Sequence, residues 1–265
     1  MKKLLLIIAM AGFLLSCNSE IDDQENNNPV PLDKPVIMKV YCQSNPAAYY
    51  QEVKYEYDND HLISETVYIG GEIDSRKTFE YYANGQLKRE IYKITSLTTQ
   101  EKEYFYNEKN LLEKIIYTVI NFNIAGEETD RRQSEETYEY KNDLLVKMVE
   151  NWGGWNIYEY DEKGKMITLT DYTKLGQKYH ITHFKYKGNL KIEEWCEVAE
   201  TGVVLYLHKF EYNNANQLVT VTENGKTIEK NTYGGNKLLE KQTFYFGIDP
   251  GFSFCSGNYI YKYEY

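Results

Sequence analysis

Aromatic residues recur in pairs two positions apart along this chain, and that pattern limits what the chain can fold into. The pairs are Tyr55/Tyr57, Phe79/Tyr81, Tyr104/Tyr106, Tyr138/Tyr140, Tyr158/Tyr160, Phe184/Tyr186, Phe210/Tyr212 and Tyr261/Tyr263, with Tyr233 marking a degenerate copy. Spacing by two places both rings on one face of a strand. The residue between them is usually charged (Glu56, Glu80, Glu139, Glu159, Lys185, Glu211, Lys262), so the opposite face meets water. A polar turn follows each pair, then an apolar residue: Leu62, Leu87, Leu111, Leu145, Met166, Leu190, Leu218 or Leu238. Asn84-Gly85 and Asn224-Gly225 suit type I′ hairpins. No stretch has a helical period. The expectation is an all-β chain of about 17 strands, an array of about eight to nine antiparallel β-hairpin repeats forming one curved or spiralling sheet. A β-propeller is the alternative, because two copies match the length of one blade. Returning strands such as Leu145-Val146 put apolar groups on both faces, which predicts a curled sheet or a second covering layer.

The copies Tyr57-Asp58 before Leu62, Tyr160-Asp161 with Gly164 before Met166, and Phe210-Glu211-Tyr212 before Leu218 resemble the YD repeats of bacterial Rhs-type proteins over roughly residues 50–265. The resemblance implies a spiralling β-sheet of hairpins. It does not extend to toxin encapsulation. This chain is short, its spacing is loose, and Asp249-Pro250-Gly251 reads as a plain turn rather than the family's C-terminal boundary signature. Tyr82 to Lys88 also resembles a MORN-like hairpin copy.

The N-terminus reads as an address. Lys2 and Lys3 precede the apolar run Leu4–Leu15, which is too short to span a bilayer as a helix and suits a secretory signal. Leu14, Leu15, Ser16 and Cys17 resemble the lipobox of bacterial lipoproteins, which implies cleavage before Cys17 and lipidation of its thiol and amine. Residues 1–16 are then a lipoprotein signal peptide, and 17–35 the lipidated Cys with a disordered acidic, Asn- and Pro-containing tether. Residues 36–265 are the repeat domain. Glu20, Asp22, Asp23 and Glu25 after the cysteine resemble a surface-export signal. The reading is an outer-membrane lipoprotein of a Gram-negative bacterium, with the cell surface slightly favoured over the periplasmic face. Removing the leader takes the formal charge from −10 to −12, which argues against a nucleic-acid partner. Aromatic content of 15% argues against a disordered body. Of Cys42, Cys196 and Cys255, at most two can pair within the chain, and Cys42 can reach Cys255 only if the two ends of the fold meet.

Catalytic chemistry finds little support, and no cofactor or metal is expected. His180 and His183 are three apart and face opposite sides of a strand. Glu193, Glu194 and Glu197 around Trp195 read as a solvated face, and Asp58-Asn59-Asp60 as a turn without the glycine and distal Glu of a calcium loop. The polar stretch Asn121–Ser134 reads as an extended hairpin or a functional loop. The candidate ligand-binding residues are Trp152, Trp155 and Tyr158, two indoles at a Gly-Gly turn that could stack on sugar rings. A membrane-embedded barrel is excluded by the charge on nearly every non-aromatic face. The expectation is a lipid-anchored, non-catalytic envelope module that binds a glycan or protein partner. A structural periplasmic subunit of an outer-membrane complex is the alternative, and an unrecognised hydrolase the least favoured reading.

Overall fold

The computed structural model describes residues 33–43, 45–95, 97–244 and 258–265. The expected signal peptide, Cys17 and most of the expected tether lie outside these residues, as do Cys255 and Asp249-Pro250-Gly251. Eighteen strands follow in chain order: β1 Ile37–Cys42, β2 Asn45–Asp58, β3 His61–Ile69, β4 Glu72–Tyr81, β5 Leu87–Thr95, β6 Thr98–Tyr106, β7 Leu112–Phe122, β8 Glu128–Lys141 and β9 Leu144–Val149. The second half holds β10 Trp155–Tyr160, β11 Met166–Tyr172, β12 Lys178–Lys187, β13 Leu190–Val198, β14 Val204–Tyr212, β15 Leu218–Glu223, β16 Lys226–Gly234, β17 Lys237–Thr243 and β18 Tyr259–Glu264.

Every strand pairs antiparallel with the next, and β18 pairs with β1 from Ile37↔Glu264 to Cys42↔Tyr259. The sheet is a closed up-and-down barrel, which corrects the expected open spiral and also excludes the propeller. The terminal half-copy Tyr261/Tyr263 supplies the reason: it leaves an edge strand, and β1 is the free edge at the other end of the chain. Closure pairs both edges. It also brings the chain ends together. Cys42 is disulfide-bonded, while Cys196 is free and buried.

Two rims differ in kind. The lower rim holds Asp33, Tyr265 and the polar turns after β2, β4, β6, β8, β10, β12, β14 and β16. Residues 33–36 are strapped to it: the Asp33 amide donates to the Asn236 carbonyl, Lys34 Nζ to the Asp60 carbonyl at 2.7 Å, and Tyr57 Oη to the Pro35 carbonyl at 3.1 Å. The upper rim carries the turns after β3, β7, β9, β11, β13 and β15.

Each lower-rim hairpin has a register shift immediately before its second aromatic, as between Glu56 and Tyr57 or Glu80 and Tyr81, and this holds in all eight. The shift is a β-bulge: Tyr140 faces Leu145 and Glu139 faces Lys147, so Val146 is the extra residue. That accounts for the adjacent apolar residues at Leu145-Val146 without a second layer. On the outer face, small residues such as Ser64, Thr66, Thr99 and Thr118 are buried between long charged neighbours.

Following the registers round the ring puts every aromatic pair on one face. The large side chains on that face are the better shielded: burial raises the pKa values of Tyr55, Tyr104, Tyr138 and Tyr263, and Val40, Val53, Ile115, Cys196 and Val221 on it are buried. Side chains crowd on the concave side of a closed sheet, so the aromatic face is the inside. The outer wall bears Lys54, Glu56, Arg76, Arg89, Glu139, Lys185 and Lys209 at mid-strand or near it. A hydrocarbon-facing wall would cost about 2–4 kcal/mol for each such cation at the bilayer midplane, so this wall faces water.

Candidate functional site

The inner wall is not a packed apolar core. Among the described residues the buried hydrophobic side chains are Val40, Val53, Ile115, Ile120, Leu190, Cys196 and Val221. Eighteen strands about 4.8 Å apart give a perimeter of about 86 Å, wider than one layer of side chains fills. The inner aromatics stay partly exposed, and the strand pairs in substantial contact are ring neighbours. The ring therefore encloses a lumen that one layer of side chains does not fill.

Its wall alternates phenol rings with ionisable groups that are matched within the wall. Glu90 lies between Lys77 and Lys102, 3.9 and 3.7 Å from their ammonium groups. Glu136 Oε2 accepts from Tyr117 Oη at 2.8 Å and from Tyr138 Oη at 3.0 Å. Glu229 holds Lys241 at 2.7 Å. On β13–β15, Glu194 accepts from Lys191 Nζ at 2.6 Å, and His208 stands between Glu194 at 3.7 Å and Glu223 at 3.0 Å. Glu223 makes the hydrogen bond to His208, and Glu194 acts on it as an ion pair. His208 and Lys191 hold the Glu194 carboxyl down at about 2 against the opposing effect of burial. Glu194 and Glu223 together raise the His208 pKa. Burial raises most inner tyrosines, Tyr158, Tyr206 and Tyr233 to about 12. Glu65 is raised as well, by burial.

The sequence-selected residues are separated by this geometry. Trp152 sits in the upper-rim turn between β9 and β10, 55% exposed. Trp155 faces outward and stacks on Tyr172, with centroids 5.3 Å apart. Tyr158, three residues on, faces the lumen with Asn156 and Tyr160. His180 faces inward opposite Asp171, whereas His183 stacks outside on Trp195. Glu194 points inward, and Glu193 and Glu197 outward. The stretch 121–134 is a hairpin with a tight turn at Asn123–Glu127. Among the described residues no group of three or more His, Cys, Asp or Glu is placed to hold a metal.

The inner ion pairs escaped the sequence reading because most of them depend on the register between neighbouring strands, which residue spacing alone does not give. So did the upper rim, where eleven of the sixteen exposed large hydrophobic side chains among the described residues lie, including Ile124 at 97% and Leu175 at 80% exposed. Their recurrence at most upper-rim turns was a visible signal.

No family model matches the chain, and no curated protein matches it. Among solved structures it is similar to a component of the TcdB2–TccC3–Cdc42 assembly, at 12% identity and a TM-score of 0.30, over 75% of this chain. It corresponds to only 12% of that chain's length. A component of the Photorhabdus luminescens Tc holotoxin pore is similar at 12% identity and a TM-score of 0.30, over 73% of this chain and 12% of that one. A porin-like protein from Bacteroides uniformis is similar at 11% identity and a TM-score of 0.42, over 88% of this chain and 99% of its own. Likenesses at this level assign neither a family nor a function.

Proposed function

We propose that this barrel is a lipid-anchored, non-catalytic binding module of the bacterial outer membrane, displayed at the cell surface and taking a glycan. The observation that carries the reading is the inner wall, a ring of phenols in which several carboxylates are already held by ammonium groups or phenol hydroxyls. Hydroxyl-rich ligands both donate and accept, and so can bond such a wall without breaking its ion pairs, while their C–H faces lie against aromatic rings. Anchoring follows from Cys17 and the lower rim, where the described chain begins. Protease added to intact cells should remove the protein while a periplasmic control survives. If the protein is protected in cells yet cleavable once purified, the surface placement fails.

The upper rim favours a second reading, a structural subunit of an envelope complex. A crown of separate apolar tips on the rim away from the tether is suited to a protein partner. Extraction in mild detergent would then yield a stoichiometric partner that Ile124→Asp with Leu175→Asp releases. A lone barrel in both preparations removes this reading.

A further inference from the structure

Trp152 is exposed, yet its setting is built. The neighbouring Gly153 has φ +95 and makes the turn. Gly154 has no such backbone demand, but a Cβ there would overlap the six-membered ring of Trp152. The glycine is the floor on which the indole lies. Trp152 Nε1 donates to the Glu150 carboxylate, and the other oxygen of Glu150 accepts from Asn156 Nδ2 at 2.9 Å. Asn156 is buried on the inner wall between Met148 and Asp171. The indole therefore lies over Gly154 beside the inner-wall pair Glu150 and Asn156, with more than half of the residue exposed. Below it the inner wall continues through Asp171, Tyr158 and Tyr160. A large apolar ring held open to water by three neighbours gains nothing for the fold itself, since burying it would be favourable. Pre-orientation of that kind lowers the cost of binding.

We infer that Trp152, Glu150, Asn156 and Asp171 form an entry subsite for an uncharged oligosaccharide at the upper mouth of the lumen. A pyranose ring lies with its C–H face on the open side of the Trp152 indole, and its hydroxyls donate to Glu150 and Asp171. The chain then passes down the wall along Tyr158. Trp155 takes no part, because it is on the outer wall. The inference rests on the glycan-binding reading and names its site and ligand class. An anionic glycan is disfavoured because Glu150 and Asp171 both face the mouth.

Intrinsic tryptophan fluorescence of the purified full-length lipoprotein in detergent tests it. The titrants are neutral gluco-, xylo-, manno- and N-acetylglucosamine hexasaccharides, with an oligogalacturonate as the charged comparison. At least one neutral oligosaccharide should shift the emission. Trp152→Ala should weaken that binding about tenfold or more, and Trp155→Ala should leave it within about twofold. Absence of binding by every neutral oligosaccharide overturns the subsite, as does equal affinity of Trp152→Ala or a preference for oligogalacturonate. The protease experiment on intact cells reports separately. A protected protein that binds keeps the subsite and loses the surface reading, and an accessible protein that binds nothing does the reverse.

Discussion

At the second aromatic position of five copies, and at Tyr265, a hydroxyl does what no apolar side chain can. A bulge leaves a backbone carbonyl without its ladder partner. In six of the eight lower-rim bulges the carbonyl of the first bulge residue accepts from the tyrosine of the following repeat: Leu62 from Tyr81, Leu87 from Tyr106, Leu145 from Tyr160, Lys191 from Tyr212, Leu218 from Tyr233 and Leu238 from Tyr265, at 2.8 to 2.9 Å. The repeat thus carries its own inter-repeat bond. Tyr106→Phe should cost about 1 kcal/mol in denaturant unfolding, and Tyr106→Leu more, through lost ring packing. Equal stability of Tyr106→Phe and the parent would show that the hydroxyl bond is worth nothing. The spacing in the sequence already revealed the pairs. The choice of Tyr was legible only as a phenol seeking a partner, because the acceptor lies in a different repeat.

His208 is the other residue-scale test. Its pKa is raised from 6.5, so the stability it contributes is complete below pH about 6.5 and is lost as pH rises through the raised value. Glu194 is lowered from 4.5 to about 2, so its contribution is present above pH about 4.5 and is lost as pH falls towards 2. Both act together between those limits. His208→Phe should lose most stability there, on the order of 1–2 kcal/mol, with the difference shrinking towards alkaline pH. A deficit that does not vary with pH would assign His208 a packing role only.

At the scale of the element, one turn is used repeatedly. In Tyr82–Gln86, Asn107–Leu111, Asp161–Lys165 and Asn213–Gln217 the first amide donates to the fifth carbonyl and the fourth amide to the first carbonyl. The fourth residue has positive φ: Gly85, Asn110, Gly164 and Asn216. This is a type I turn closed by a left-handed residue. Asn84-Gly85 therefore departs from the expected I′ geometry, since only Gly85 has positive φ. Asn224-Gly225 matches it, with φ of 49° and 82°. The dipeptide alone could not separate the two cases, because loop length is fixed by the bulge and not by the turn residues. Asn110, at φ 62°, bears the strain of a side chain in the left-handed region. Asn110→Ala should destabilise by about 1 kcal/mol, and Asn110→Gly should be neutral or better. Thermal unfolding of both variants checks the pair, and a stable Asn110→Ala would contradict the turn.

At the scale of the whole molecule, hairpin periodicity is local and closure is not. The sequence displays which residues share a face, which is why the strands, the aromatic face and the separation of His180 from His183 could be read directly. It does not display curvature. The bulges that bend the sheet show only as an ambiguous apolar doublet, and β1 has no aromatic pair to mark it as the partner of β18. The same closure gathers the phenols onto one concave wall, and that wall makes a prediction about the whole barrel. Burial raises Tyr55, Tyr104, Tyr138 and Tyr263 far above the ordinary phenol value of 10, and Tyr158 to about 12. For an acid whose folded pKa is raised, the associated stability is present below the unfolded value and is lost as pH rises through the folded one. Ionisation is then coupled to unfolding. Above pH about 10 the inner tyrosines should titrate in one steep step that coincides with loss of the β-sheet circular dichroism. Tyrosinate absorbance and circular dichroism recorded on one alkaline titration decide it. If the inner phenols titrate gradually while the sheet signal persists, the lumen solvates them as freely as bulk water, and the concave wall is not the shielded surface on which the binding argument depends.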